Sequence, residues 1–313
     1  METDLETGAA PPTVEKTYKA RELEGWIDIY FYRKVGFQLA RLSAALGLTP
    51  AAVTAVGCVC GVMAGHLYYY RDLRLNLFGM LLHIAANAFD NADGQLARLT
   101  NQTSRTGRLI DGLADHLVWF SVYLHLALRC VAEGSPLAVI LLALAAGLSH
   151  GCQASAADYY RSGYLYFVRG RSRADFDSSV DLRSEFQRLS WRDQSWQKIL
   201  LAFYLNFTSQ QELLSPGLQR LHQVIARAFS GEIPVWLQDG YRDHAQPMLG
   251  WWRLLMTNTR MLLLFLLLLI GRPIWYFWLE LTLFNFLLVY LLWQQANALR
   301  SLVQLVTARR AVV

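Results

Sequence analysis

The chain has 313 residues, of which 54% are hydrophobic and only 17% charged, with a formal net charge of +5. Several apolar stretches reach the roughly 20 residues that a helix needs to cross a hydrocarbon core of about 30 Å, so this is the composition of an integral membrane protein. The basic excess suits positions beside membrane spans, facing anionic headgroups. A nucleic-acid partner is excluded for want of a basic soluble domain.

The first 22 residues are polar, mixed in charge and lack an apolar core, so no cleavable signal is expected and the N-terminus should stay cytosolic. From Trp26 to Pro50 apolar residues recur at helical intervals, with Arg33, Lys34 and Arg41 on the polar side. That pattern predicts an amphipathic helix lying in the membrane interface. Six spans follow, near Ala51 to Tyr70, Leu75 to Ala97, Gly107 to Cys130, Pro136 to Tyr160, Trp251 to Gly271 and Pro273 to Trp293.

Between the fourth and fifth spans lies a polar insert with two amphipathic stretches, Trp196 to Phe207 and Leu218 to Phe229. An insert of this length is expected to be ordered, as a helical cap on the cytosolic surface. The fold class is therefore all-α integral membrane protein, with six transmembrane helices, an N-terminal interfacial helix and a cytosolic helical insert. Its divisions are 1–50 (N-terminal segment and interfacial helix), 51–167 (first four membrane helices), 168–249 (insert) and 250–313 (last two membrane helices and tail).

Basic residues set the orientation. Arg98, Arg105, Arg108, Arg161, Arg169, Arg171, Arg173, Arg300, Arg309 and Arg310 fall on the connections assigned to the cytosol, against Arg71, Arg74, Arg129 and Arg272 on the other side. A multi-pass protein of the cytoplasmic membrane with both termini inside is expected. Cys58, Cys60, Cys130 and Cys152 have no metal-ligand spacing with histidine and read as packing residues.

The second span ends in a stretch that an apolar run should not tolerate, Asp90-Asn91-Ala92-Asp93-Gly94. Asp90 and Asp93 are three apart on one helix, and Asp111 and Asp115 four apart on the next, so each pair shares a face. In an antiparallel hairpin, residues of equal depth have equal sums of their numbers, which sets Asp93 level with Asp111 and Asp90 with Asp115. Four carboxylates converging at a membrane edge cannot all stay ionised without cations between them, and oxygen-only ligands select hard cations, two Mg2+ or Mn2+ ions. Gly94 and Ala97 leave a bare patch on the same stripe, Arg98 can hold a phosphate, and Gly107 thins the facing helix. Together these features point to phosphoryl-group chemistry by a two-metal route.

Asp90, Asp93, Gly94, Ala97, Arg98, Gly107, Asp111 and Asp115 reproduce without a gap the signature D-x-x-D-G-x-x-A-R, eight residues, G-x-x-x-D-x-x-x-D of the CDP-alcohol phosphotransferases. Gly47 to Thr54, "GLTPAAVT", also resembles that family's entry into its first span. The resemblance implies that Asp90, Asp93, Asp111 and Asp115 hold the metals and that Gly94, Ala97, Arg98 and Gly107 seat the CDP moiety. It further implies that Asp115 deprotonates the incoming hydroxyl, whose oxygen attacks the phosphorus carrying the lipid or alcohol as CMP leaves. The implied partners are a CDP-linked lipid or alcohol, a small hydroxyl acceptor, the bilayer and a second copy of the chain in a homodimer. The insert-bearing form resembles a bacterial branch associated with inositol-phosphate-bearing lipids, sphingolipids among them.

For the acceptor, the fourth span places His150, Gln153, Asp158 and Arg161 in or near a polar face. That face reads equally as a water-filled vestibule or as a pocket opening toward Asp115. An anionic acceptor such as inositol phosphate needs added positive charge, for which Arg161 and Arg108 (and also Arg169) are placed. His116, His125 and His150 read as packing or hydrogen-bonding residues, and Trp251 and Trp252 as part of an interfacial belt. Three other functions share some of these features: a magnesium-dependent intramembrane prenyltransferase, a carboxylate-relay transporter, and a CDP-alcohol phosphotransferase using a non-phosphorylated acceptor. The prenyltransferase leaves Gly94, Ala97, Arg98 and Gly107 without a purpose, and the transporter lacks repeat symmetry.

Overall fold

A computed structural model describes residues 21–170, 177–229 and 233–310. Arg171, Arg173 and the first 20 residues, used above for orientation and for the N-terminal segment, lie outside the described residues. Thirteen α-helices and no strand are found among the described residues. In chain order they are α1 (Arg33–Ala45), α2 (Pro50–Leu67), α3 (Leu73–Leu99), α4 (Arg105–Ala132), α5 (Ala138–Arg169), α6 (Ser179–Arg188), α7 (Ser195–Leu214), α8 (Pro216–Ala228), α9 (Val235–Ala245), α10 (Leu249–Leu254), α11 (Thr257–Leu269), α12 (Ile274–Leu281) and α13 (Leu283–Arg310).

Four stretches among the described residues are long and apolar enough to cross a membrane: Pro50–Leu67, Ala138–Arg169, Val235–Leu269 and Ile274–Arg309. This is a multi-pass helical membrane protein by length and composition. Six spans were expected. The two that fall short of the apolar criterion, α3 and α4, have 27 and 28 residues, enough at about 1.5 Å per residue to span about 40 Å. What lowers their hydropathy is the polar set they carry, Asp90, Asp93 and Arg98 on α3, and Arg105, Arg108, Asp111, Asp115 and Arg129 on α4.

Local sequence sets the turns around these helices. α1 ends where Gly47 takes φ +68°, and the Leu48 N–H donates back to the Ser43 carbonyl at 2.9 Å. Thr49 then caps α2 by accepting from the Ala52 N–H at 3.2 Å, with Pro50 in the first turn. "GLTP" is thus a helix stop followed at once by a helix start. The predicted helix of Trp26–Pro50 accordingly closes at Ala45, after an initial π-type turn over Asp28–Tyr32. Ser104 caps α4 by accepting from the Gly107 N–H at 3.0 Å.

The closest packing in the bundle is made by α2. It runs against both α3 and α4, which make little direct contact with each other. Gly57, Gly61 and Gly65 recur at every fourth position along it. A Cβ on Gly57 would stand 3.0 Å from Phe89 Cβ of α3, one on Gly61 2.5 Å from Val118, and one on Gly65 2.6 Å from Ser121 Oγ and 2.8 Å from the α4 backbone. Small residues at this spacing let helix backbones approach closely where no hydrophobic drive exists between helices. α1 uses the same device, since a Cβ on Gly36 would stand 3.0 Å from Asn91 of α3.

The last two expected spans are interrupted. Trp251 to Gly271 breaks at Leu255–Met256 into α10 and α11, and Pro273 to Trp293 breaks at Thr282 into α12 and α13. Broken helices are tolerated at membrane depth only where protein satisfies the freed carbonyls. Arg260 Nε donates to the Leu255 carbonyl at 3.2 Å, and Gln153 Nε2 to the Glu280 carbonyl at 3.0 Å. Arg260 also forms an ion pair with Glu280 and donates to Gln153 Oε1 at 2.6 Å, and both ion-pair side chains are 0% exposed. Hydropathy reads through such breaks because the partners come from distant segments.

α6 to α9 occupy most of the insert. α8 packs on α13, α9 on α5 and α13, and α7 on both α4 and α5. Leu218, Leu221, Ile225, Leu237 and Tyr241 share one core with residues 156–168 of α5 and with Leu299, Leu302 and Val306 of α13. Trp251 is exposed as a belt residue would be. Trp252 is not, being 3% exposed and stacked on Tyr160 at 4.9 Å.

Two stability outcomes follow. Gly65→Val should lower the thermal unfolding midpoint in detergent, with an overpacking cost of about 1–3 kcal/mol, whereas Gly112→Val, where no atom lies within 4 Å of an added Cβ, should leave it nearly unchanged. Arg260→Met should cost about 3–5 kcal/mol, because it strands a buried carboxylate, and adding Glu280→Leu should restore part of the loss, as read by denaturation of each variant.

Candidate active site

The splay between α3 and α4, floored by α2, is a cavity lined by Thr54, Gly57, Cys58, His83, Ala86, Asn87, Asp90, Asp93, Asp111, Ala114, Asp115, Val118 and Trp119. All four predicted aspartates face it. Asp90 and Asp115 are exposed on its open side, Asp111 is half-buried, and Asp93 is only 6% exposed. The carboxyls of α3 and α4 that lie closest are those of Asp90 and Asp111, a diagonal pair, one turn off the expected level. Helices held apart by a third helix need not keep the register of a simple hairpin.

Thr54, the last residue of "GLTPAAVT", holds Asp93. Its hydroxyl lies 2.6 Å from Asp93 Oδ2 and 3.0 Å from the Pro50 carbonyl, so α2 orients the carboxylate. Sequence spacing within α3 and α4 could not show this, since the partner is 39 residues away.

As the side chains stand, no three His, Cys, Asp or Glu among the described residues are gathered tightly enough to hold a metal ion. Like charges on facing helices repel, and Asp93 is meanwhile committed to Thr54. The donor set nonetheless fits a hard divalent cation: four carboxylates, oxygen ligands only, on one cavity. Gly94 adds a second fit. A Cβ there would meet only the Arg98 guanidinium at 3.6 Å, and one on Gly107 only Ser104 Oγ at 3.1 Å, so bare backbone on both helices faces space that protein does not fill.

Arg98 stands one turn beyond Gly94, toward the α3–α4 turn, with its Nε buried and without a hydrogen-bond partner. The charged groups that act on it are Arg33, Glu24, Asp93 and Arg161. Arg161 of α5 is among them, and it pairs with Glu24 at 3.3 Å. Arg108, the other residue expected to serve the acceptor, is exposed on α4. Arg169 pairs with Glu22 at 2.7 Å.

The remaining polar residues of the fourth span disperse. His150 contacts the Tyr123 hydroxyl at 3.2 Å and packs edge-on to Trp119, Gln153 joins the Arg260–Glu280 network, and Asp158 accepts from Gln211 of α7 at 3.1 Å. They do not form one pocket opening toward Asp115. The four cysteines are free, and Nδ1 of His116 and of His125 lies within hydrogen-bonding distance of the backbone carbonyl one turn away.

Residues missed by the sequence reading include Glu24 and Arg33. Arg33 was assigned to a polar face, yet its guanidinium is buried against Glu24 at 2.5 Å, and the Arg33 carbonyl accepts from Gln95 of α3 at 3.2 Å.

Residues 47–159 match the family model of CDP-alcohol phosphatidyltransferases. An archaetidylinositol phosphate synthase of Pyrococcus horikoshii is 31% identical over 91 residues, which are 29% of this chain and 47% of that relative. The chain therefore spans about half the length of the curated relative it matches. No solved structure matches it significantly. The matched segment runs from the "GLTP" turn through the carboxylate cavity almost to Arg161, and over these residues the chain is similar to the CDP-alcohol phosphatidyltransferases.

Proposed function

We propose that the protein transfers a phospho-alcohol group from a CDP-linked lipid to a hydroxyl acceptor, releasing CMP. The observation that carries this reading is the convergence of Asp90, Asp93, Asp111 and Asp115 on one cavity, with the open backbone of Gly94 and the guanidinium of Arg98 at its mouth. A prenyltransferase or transporter would use the carboxylates but give no work to that mouth.

Asp90, Asp93, Asp111 and Asp115 would hold two divalent ions, Mg2+ or Mn2+, which when bound neutralise charge on the diphosphate and on the departing CMP. Arg98 grips the diphosphate, while Gly94, Ala97 and Gly107 admit the nucleotide against bare backbone. Asp115, on the open side, takes the proton of the acceptor hydroxyl. That oxygen bonds to the phosphorus bearing the lipid, the bond from phosphorus to the CMP oxygen breaks, and CMP leaves. Thr54 keeps Asp93 turned toward the cavity.

The acceptor we assign is a phosphorylated polyol of the inositol phosphate type. Two observations support it: the guanidiniums of Arg33 and Arg161, both close enough to act on Arg98, and a relative named for an inositol phosphate lipid. Within the same reading α3 and α4 are the second and third of six spans, α1 lies in the interface, and the site, the insert and both termini face the cytosol. The basic residues on those connections support this sidedness.

Asp93→Asn should abolish divalent-dependent CMP release while the protein still folds and inserts; normal turnover, or full activity of the wild type in excess chelator, would sink the metal assignment. Arg161→Ala should raise the half-saturating concentration of phosphopolyol about tenfold or more, the scale of a charge-assisted contact, while that of the CDP-lipid stays unchanged. Steady-state assays with inositol phosphate, glycerol phosphate, inositol, serine and choline as acceptors check both points. Turnover with uncharged or cationic acceptors alone, indifferent to Arg161, would refute the phosphopolyol assignment and leave the transferase standing.

A further inference from the structure

Arg33 of α1 and Arg161 of α5 both reach one carboxylate, and both lie close enough to act on Arg98 of α3. Like charges so placed repel, and they need anions in return. The carboxylate inserted among them belongs to Glu24, in the short segment before α1. Its Oε1 lies 2.5 Å from Arg33 and 3.3 Å from Arg161, and Glu24 is 5% exposed. Asp90 also acts on Arg33 and Arg161 but lines the cavity, and the Nε atoms of Arg98 and Arg161 are buried with no hydrogen-bond partner. Asp93, the other anion near Arg98, is engaged by Thr54 and faces the cavity.

The Glu24 side chain is separable from its backbone. Arg253 of α10 donates to the Glu24 carbonyl at 3.0 Å, and Asn258 of α11 donates to Asp28 at 2.8 Å, so the segment is pinned from α10 and α11 independently of the carboxylate. Rotation of the one side chain would clear the guanidiniums without unfolding anything.

Resting on the phosphopolyol reading above, we infer that Glu24 is an internal stand-in for the acceptor's phosphate, occupying the Arg33–Arg161 site until a phosphomonoester displaces it. A dianionic phosphate offers more charge and more acceptor oxygens than a carboxylate, so it wins the exchange, whereas a neutral alcohol cannot dislodge Glu24 at all. Glu24 thereby sets specificity: it holds a cationic pocket together in the absence of substrate and taxes every acceptor that lacks a phosphate. Arg33 becomes a phosphate ligand contributed by α1.

The test compares the full-length wild type with Glu24→Gln, which keeps the size and hydrogen-bonding capacity of the side chain and removes its charge. By calorimetry in detergent, inorganic phosphate should bind the variant about three- to tenfold more tightly, because the cost of displacing the competitor is gone. The half-saturating concentration of phosphopolyol should fall by a similar factor, with that of the CDP-lipid unchanged. Arg33→Gln should weaken phosphate binding in both backgrounds. A merely structural glutamate would make binding weaker or leave it alone when neutralised, and either result overturns the inference, as does tightening confined to the CDP-lipid. Phosphate binding is read without turnover, so a protein that binds phosphate as described but releases no CMP would refute the transferase reading and not this one.

Discussion

How closely α2 approaches α3 and α4 governs everything around the cavity. Gly57 meets α3 and Gly61 and Gly65 meet α4 at distances that leave no room for a Cβ, so both helices are fixed to α2 rather than to each other. The wedge that remains between them is where the aspartates stand. Were α3 and α4 packed face to face, four carboxylates would be pressed together with no room for counter-charge, at a cost that neither hydrogen bonding nor burial could offset. Placing a thin helix beneath them gives each a wall of its own and leaves a shared space for counter-charge.

Polar groups elsewhere in the bundle obey the same demand for partners. The breaks at Leu255–Met256 and Thr282 would strand carbonyls in the membrane, and Arg260 and Gln153 meet them from neighbouring helices while Glu280 balances the arginine. These contacts tie α5, α11 and α12 into one block behind the site. At its front, Arg105 at the start of α4 donates to Glu185 of α6 at 2.8 Å, which fastens the insert to the helix that carries Asp111 and Asp115. The insert is thereby coupled to the cavity through α4 and, by way of Asp158 and Gln211, through α5.

The carboxylate motif was legible because its spacing is a property of single helices. Residues three or four apart share a face whatever surrounds them, and two such faces on consecutive helices had few ways to avoid one another. The "GLTP" turn was equally local, each of its residues acting within about four positions. Thr54 against Asp93, Glu24 against Arg161 and Arg260 against Glu280 were not legible, for each joins helices that no periodicity relates. The expected acceptor face of the fourth span fails for the same reason: His150, Gln153 and Asp158 line up in sequence but are claimed by three different neighbours.

By itself the sequence determined that the chain is helical and membrane-bound, that four aspartates share two helix faces, and where the turns flanking α2 must lie. These follow from composition, from 3.6-residue periodicity and from capping chemistry, all of which act over a few residues. Only the tertiary structure decided that the aspartates line a wedge on α2, that Arg33 and Arg161 meet on Glu24, and that two apolar runs are broken. Those outcomes depend on which side chains come within a few ångströms across helices distant in the chain, and electrostatic and hydrogen-bond energies fall off over that distance.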